Sequence, residues 1–409
     1  MTVQHIEGGI TAPKGFSAAG VKSGIKKDKL DLALLYSELP ARAAMAYTQN
    51  KARAAPIEIM MRDHPSELRA FVINSGNANA LTGLKGMADA EAMREVAALA
   101  LKLKPIEVGV ASTGVIGRFL PMGVVNAGIL QASRELQRGT EADVVVAKAI
   151  MTTDTKMKSC AVQTILKDGT LVTVAGMAKG SGMISPAMRT LHATTLSFVT
   201  TDAVLKADPN PRWQQVMDAS FNVINVDGDQ STNDISALLA NGAAGGAPAD
   251  DDPAFWEAVT TIAKSLAKAV AIDGEGATKL IEVIVTGAKD DNEARIAARS
   301  IVASNLVKAA VFGADPNFGR ILAALGNSGA DFDISKVRLV LENGKSVVLF
   351  ENGSPSFAPE STEEGVARAV LHEKRIVVRL ELGVGKGTGE AWGCDLSYDY
   401  VRINASYTT

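Results

Sequence analysis

Apolar and polar residues alternate along this chain with two different periods. Between residues 253 and 271, Phe255, Val259, Ile262, Leu266 and Val270 recur at spacings of four, three, four and four. That is the period of one buried face of an α-helix. Asp250, Asp251 and Asp252 stand just ahead of the stripe, where acidic side chains suit the positive end of a helix. A second helix is expected over residues 87–103, rich in alanine and leucine with little to break it, and a third over EADVVVAKAI at 141–150. Short β-branched runs at 171–176, 281–287 and 375–382, bounded by glycine or charge, predict strands. Residues 337–350 place Asn343-Gly344 between two apolar runs, which predicts a hairpin on a type I′ turn with positive φ at both central residues. The alternation in CDLSYDYVRIN, residues 394–404, predicts a further strand. Glycine, alanine, proline and acid content makes 241–253 an exposed loop. Helices and strands interleaved with hairpins favour a mixed sheet or a layered α/β sandwich over a purely parallel fold. A chain of 409 residues exceeds one ordinary core and suggests two lobes.

Composition narrows the class. Hydrophobic residues make up 47% and charged residues 21%, the balance of a soluble globular protein, and the formal charge is only -3. No run of like charges stands out, so neither nucleic acid nor a membrane surface is an expected partner. No apolar stretch approaches the roughly 20 residues a bilayer span requires. The first residues, MTVQHIEGGITAPKGF, read as neither a secretory signal nor a transit peptide. Cys160 and Cys394 lie far apart without CxxC spacing, which excludes a disulfide framework and argues against a metal site. A reducing cytoplasm is the expected compartment, with no metal and no cofactor.

The chemistry concentrates in glycine-punctuated segments. In the run from Lys179 to Ala203, a turn feeds alternating threonine and apolar residues, and Ala193 is followed by Thr194 and Thr195. This is the layout of a junction where a threonine cuts its own upstream peptide bond. A threonine hydroxyl needs a base beside it, and a freed α-amino group, with a pKa of about 7.7 to 8.0, is a base within the same residue. The histidines, His5, His64, His192 and His372, occupy no motif that supports a Ser-His-Asp constellation. His192, two residues before Thr194, reads equally as a loop residue. ASTGVIG at 111–117 sits at a strand end, where Thr113 and Gly114 either aim a hydroxyl and an N–H at an oxyanion or simply make a turn. MTTDTK at 151–156 either ends a helix or binds polar groups of an amino-acid ligand. Lys179, set among small residues, reads either as an ordinary exposed lysine or as a ligand for a carboxylate. In DGEGATK at 273–279 the glycines hold Glu275 on a tight turn, where it either faces a pocket or is a solvated turn acid. GVGKGTG at 383–389 fails the Walker spacing, and DGEGATK is not a dinucleotide fingerprint.

Taken in order, NSGNANALTG, ASTGVIG, MTTDTK, GMAKGSGMISP, ATTLSFVTTDA, NVDGDQSTND, DGEGATK, GADPNFGR and INASYTT resemble the ornithine acetyltransferase family of arginine biosynthesis, the bifunctional glutamate N-acetyltransferases. The resemblance covers essentially the whole chain. It implies a layered α-β-β-α sandwich with mixed sheets, of the N-terminal-nucleophile type. It also implies cleavage between Ala193 and Thr194 into an α chain, 1–193, and a β chain, 194–409, assembled as α2β2. Thr194 would take acetyl from N-acetylornithine, release ornithine and pass the acetyl to glutamate. By the same resemblance Thr113 and Gly114 form the oxyanion hole, and Thr152 or Thr153, Lys179, Glu275, Asn404 and Thr409 bind substrate. Acetyl-CoA as a second donor stays open.

One departure touches the junction. RTLH, residues 189–192, intervenes between Met188 and Ala193 where the family runs through directly, and Thr190 then keeps the usual distance from Lys179. Thr194 is favoured because ATTLSFVTTDA continues downstream without a gap and insertions are easier in loops. An N-terminal-nucleophile aminopeptidase and a remnant whose inserted loop blocks processing are the alternative readings.

Overall fold

Sixteen strands among the described residues segregate into two mixed sheets, with helices between and outside them. The computed structural model describes residues 3–185 and 195–406. The chain begins with β1 (Gln4–Ile6), β2 (Phe16–Val21), β3 (Leu32–Tyr47), α1 (Ala55–Asp63) and β4 (Glu67–Asn77). It continues through α2 (Gly83–Leu101), β5 (Val108–Val115), α3 (Met122–Arg134), α4 (Thr140–Ala149), β6 (Lys158–Ile165) and β7 (Leu171–Lys179). Next come β8 (Leu196–Thr201), α5 (Asn210–Asp218), β9 (Ile224–Asn225), β10 (Ile235–Ala240), α6 (Pro253–Ile272) and β11 (Leu280–Ala288). The helices α7 (Asp291–Ala303), α8 (Asn305–Phe312) and α9 (Phe318–Gly326) precede β12 (Arg338–Asn343), β13 (Lys345–Glu351) and β14 (Ser354–Pro355). The last elements are α10 (Thr362–Leu371), β15 (Arg375–Glu381), β16 (Gly387–Cys394) and α11 (Tyr398–Ser406).

The first sheet runs β1-β6-β7-β8-β10-β3-β4-β5, with β2 also on β3; the second runs β14-β13-β12-β15-β11-β16-β9. In the first, β8/β10 and β4/β5 are parallel and the other pairs antiparallel. In the second, β11/β15 and β16/β9 are the parallel pairs. This is the layered α/β sandwich with mixed sheets that the sequence predicts. The expected division into two lobes takes a different form. Alternating residues of the first sheet feed two apolar clusters, Phe71, Val110 and Phe198 on the α1–α4 side and Val174, Val199 and Leu238 on the other. The boundary is therefore the sheet itself, because a strand with period-two burial fills two cores at once.

Helix α6 belongs to both sheets. Its stripe, Phe255, Val259, Ile262, Leu266 and Val270, is fully buried, and the helix touches β6 and β7 of one sheet and β16 of the other. Asp252 caps it, accepting from the Ala254 N–H at 2.9 Å, and Pro253 occupies the first turn. Helix α7 packs on the small face of β16, where a Cβ on Gly389 would stand 2.6 Å from the Arg295 nitrogen.

Two local expectations are corrected. The hairpin at β12 and β13 forms, but Asn343 pairs directly with Lys345, and only Gly344 takes a positive φ, 65°. The turn is thus tighter than type I′. The strand expected over 394–404 ends at Cys394, and residues 398–406 form α11. Neighbouring strand β9 reaches only Gly393, and β11 begins opposite Cys394, so among the described residues the paired strand register ends at that point. After the Asp395 and Leu396 N–H groups donate to the Lys279 and Lys308 carbonyls, the segment has no strand alongside it and coils into a helix, with Arg402 and Asp399 paired at 3.1 Å on its exposed face.

Candidate active site

The strand ends of the first sheet converge on one cavity of about 250 Å³. Thr113 and Gly114 close β5 beside Ser75 and Gly76 of β4. Gly114 has φ 135°, and a Cβ there would lie 2.3 Å from the Gly76 carbonyl carbon, so only glycine allows the two backbones to touch. Lys179 ends β7 opposite Leu196, the first residue of β8, which on its other side pairs with Ile235 of β10. Thr195 is buried, its carbonyl accepts from the Ile235 N–H at 3.0 Å, and its hydroxyl oxygen has no hydrogen-bond partner among the described residues.

Seven residues singled out in the sequence line this cavity together: Thr113, Gly114, Thr152, Thr153, Lys179, Glu275 and Asn404. Lys179 Nζ donates to Thr113 Oγ1 at 3.1 Å, across 66 residues of sequence. Burial pushes the Lys179 ammonium below the ordinary lysine range, while the nearby carboxylate of Asp154 opposes the shift. Facing them, Glu275 is buried, accepts from Asn404 Nδ2 at 2.9 Å, and rests over Gly182, where a Cβ would meet its carboxyl carbon at 2.4 Å. The site therefore has a cationic end and an anionic end, as recognition of a zwitterionic amino acid requires. Ala193 and Thr194, with the rival Thr190, His192 and Thr409, lie outside the described residues. The described histidines, His5, His64 and His372, do not line the cavity.

Other site residues escaped the sequence reading. Asp227 and Asp229 line the anionic end beside Glu275 and Tyr400. Asp227 accepts from the N–H groups of Met183 at 2.6 Å and Ile184 at 2.8 Å, yet burial raises its carboxyl above the usual range. The Tyr400 hydroxyl is likewise raised, first by burial and then by Asp227, Asp229 and Glu275. Both aspartates sit in NVDGDQSTND, whose density of polar side chains was the available signal. Lys26 flanks the site, its stem filling the space beside Gly76 and its Nζ donating to the Met151 carbonyl at 2.9 Å; burial lowers it to about 8. Among the described residues no group of three His, Cys, Asp or Glu side chains could hold a metal ion, and no helix is long and apolar enough to cross a membrane.

Comparison with known proteins identifies the family. A family model described as the ArgJ family matches residues 17–409. The chain belongs to the ArgJ family. Similar relatives include the arginine biosynthesis bifunctional protein ArgJ of Caldanaerobacter subterraneus, 48% identical over 414 residues and covering 100% of both chains. The protein of the same name from Symbiobacterium thermophilum is 49% identical over 416 residues, again covering 100% of each. Among solved structures, ornithine acetyltransferase from Mycobacterium tuberculosis, complexed with ornithine, is 42% identical over 46% of this chain and 100% of its own, with a TM-score of 0.43. ArgJ membership agrees with the resemblance carried by the nine motifs, six of which, ASTGVIG, MTTDTK, GMAKGSGMISP, NVDGDQSTND, DGEGATK and INASYTT, contribute residues to the cavity.

Proposed function

We propose that this protein transfers the acetyl group of N-acetylornithine to glutamate through an acetyl-threonyl intermediate on Thr194, after cleavage of its own chain between Ala193 and Thr194. The observation that carries this reading is the Lys179–Thr113 hydrogen bond facing the Glu275–Asn404 pair across one cavity, at the start of the strand that Thr194 leads into. The Thr194 hydroxyl attacks the acetyl carbonyl and its proton passes to the new α-amino group. Collapse of the tetrahedral intermediate returns that proton to the departing amine, releasing ornithine. The glutamate amine then attacks the ester, giving acetylglutamate and restoring the threonine. Thr113 Oγ1 accepts from Lys179, so its own O–H remains to donate to the oxyanion beside the Gly114 N–H. Lys179 holds the substrate carboxylate, Glu275 an amine, and Thr152, Thr153 and Thr409 polar groups.

The sheet also supports two fragments that remain associated after cleavage. β7, before the junction, pairs with β8, after it, from Val174↔Thr201 to Lys179↔Leu196, and β10 pairs with β3. Separating 1–193 from 194–409 breaks both ladders. The same reading extends to an α2β2 assembly in the cytoplasm, measurable as the mass of the purified particle and by cell fractionation.

Incubation of purified protein with acetylornithine and glutamate, followed by mass spectrometry, is expected to yield ornithine and acetylglutamate. N-terminal sequencing is expected to find a fragment beginning at Thr194. Absence of transfer by fully cleaved protein overturns the proposal, as does a fragment starting elsewhere. Replacing acetylornithine by acetyl-CoA in the same assay determines whether this chain uses the second donor.

A further inference from the structure

We propose that Lys158 is a positioning residue of this site, its single ammonium joining the three chain segments that present Thr152 and Thr153, Lys179, and Glu275 to substrate. The inference rests on the amino-acid reading of the cavity and adds a residue that does not line it. Lys158 opens β6 with 1% of its side chain exposed. Its Nζ stands 2.6 Å from Asp154 Oδ1 and 2.6 Å from Asp273 Oδ2, carboxylates whose side chains are 0% and 4% exposed.

Each carboxylate reaches onward to the substrate loops. Asp154 accepts from the Gly180 N–H at 2.7 Å and the Thr152 N–H at 2.9 Å, tying the threonine loop to the residue after Lys179. Asp273 accepts from the Thr155 hydroxyl and from the Thr155 N–H at 3.0 Å. Its own carbonyl accepts from Ser181 Oγ at 2.6 Å, and the Ser181 carbonyl accepts from the Glu275 N–H at 2.9 Å. One cation thus lies between two aspartates that hold the threonine loop, the end of β7 and, through the Asp273 carbonyl, the Glu275 turn, and Glu275 in turn holds Asn404. With Lys179 close to Asp154, two ammoniums balance two carboxylates, and the Asp154 carboxyl is held at about 2 despite its burial.

Deleting the ammonium leaves two buried carboxylates facing each other, and they separate or take up a proton; either response displaces the loops. The test compares wild type, Lys158→Met, Lys158→Arg and Asp273→Asn by thermal melting, ornithine calorimetry and amide exchange. Folded Lys158→Met is expected to bind ornithine about tenfold to a hundredfold more weakly. Its Thr152 and Gly180 amides should exchange faster, while amides at the centre of β3 are unchanged. Lys158→Arg should recover part of the affinity because it restores the charge. Asp273→Asn should loosen the Glu275 turn while leaving the Thr152 and Gly180 amides protected. Where Lys158→Met does not fold, the charge-balanced D154N/K158M protein carries the same comparison. Ornithine affinity within twofold of wild type in the folded variant overturns the inference, as does unchanged exchange at Thr152 and Gly180. Wild-type protein that fails to bind ornithine overturns the amino-acid reading instead, and the exchange measurement then still decides the role of Lys158.

Discussion

The sharpest test of the proposed oxyanion site is Gly114→Ala. At φ 135° an alanine is strained whatever the space around it, and here there is none: its Cβ would lie 2.3 Å from the Gly76 carbonyl carbon, 2.4 Å from the Asn77 nitrogen and 2.7 Å from the Gly76 Cα. These neighbours are backbone atoms of β4, paired to β5 through Asn74, Ser75 and Gly76, and cannot swing aside as a side chain would. Relief requires the β5 end to move by about an ångström, which takes the Gly114 N–H off the line to the developing oxyanion. Loss of one such donor costs roughly 10²- to 10³-fold in kcat, about 2.7–4 kcal/mol of transition-state stabilisation. KM should change far less, since Lys179 and Glu275 keep their places. The assay is acetyl transfer under saturating acetylornithine and glutamate, on protein first checked by denaturing gel for cleavage and by thermal melting for folding. Gly123→Ala, in α3 with open space at its Cβ and no positive φ, is the control and should leave kcat unchanged. A cleaved, folded Gly114→Ala enzyme with kcat within threefold of wild type would falsify the assignment of Gly114 to the oxyanion.

Three further outcomes follow from the same geometry. Thr194→Ala should stay as one 42.7 kDa chain on a denaturing gel and give no transfer; cleavage or turnover in that variant removes Thr194 as nucleophile. Gly182→Ala pushes a Cβ to within 2.4 Å of the Glu275 carboxyl carbon and should raise KM for acetylornithine about tenfold with a smaller effect on kcat, measured by initial rates; an unchanged KM shows that Glu275 does not hold the amine. Asp154 titrates at about 2 when folded against 3.8 for the free group, so its contribution is fully present above the unfolded value and lost as pH falls through the folded one. The shift corresponds to about 2 kcal/mol, and the stability of Asp154→Asn should therefore depend less steeply on pH between about 4 and 2 than wild type, in denaturant titrations across that range; parallel curves refute it.

The site was legible in the sequence wherever a residue's chemistry is announced by its immediate neighbours. Thr113 and Gly114 follow a strand and precede a turn, Lys179 stands among glycines, and Glu275 sits between two of them, and all three segments reach the cavity. The aspartates behind them were not legible. Asp154 appears in MTTDTK as one more polar residue, and its role depends on Lys158 and Asp273, the latter more than a hundred residues away. Burial likewise turned Glu275 from a turn acid into the anionic wall of the cavity, through contact with Gly182 and the distant Asn404.

Sequence by itself determined which stretches bury one face and which residues can nucleophilically attack, donate or carry charge, because side-chain period and chemical identity are local properties of the chain. The stripe of α6 and the strands expected at 171–176, 281–287 and 375–382 follow from that alone, and the structure forms them over 171–179, 280–288 and 375–381. Tertiary structure decided what pairs with what. Residues 394–404 alternate like a strand, yet those from 398 on form a helix because β9 and β11 offer no edge beyond Cys394. Lys179 of β7 meets Thr113 of β5, with four strands between them in the sheet order, because the ends of both strands reach one cavity. Hydrogen-bond partners and desolvation come from segments far apart in sequence, so no window of neighbouring residues contains them.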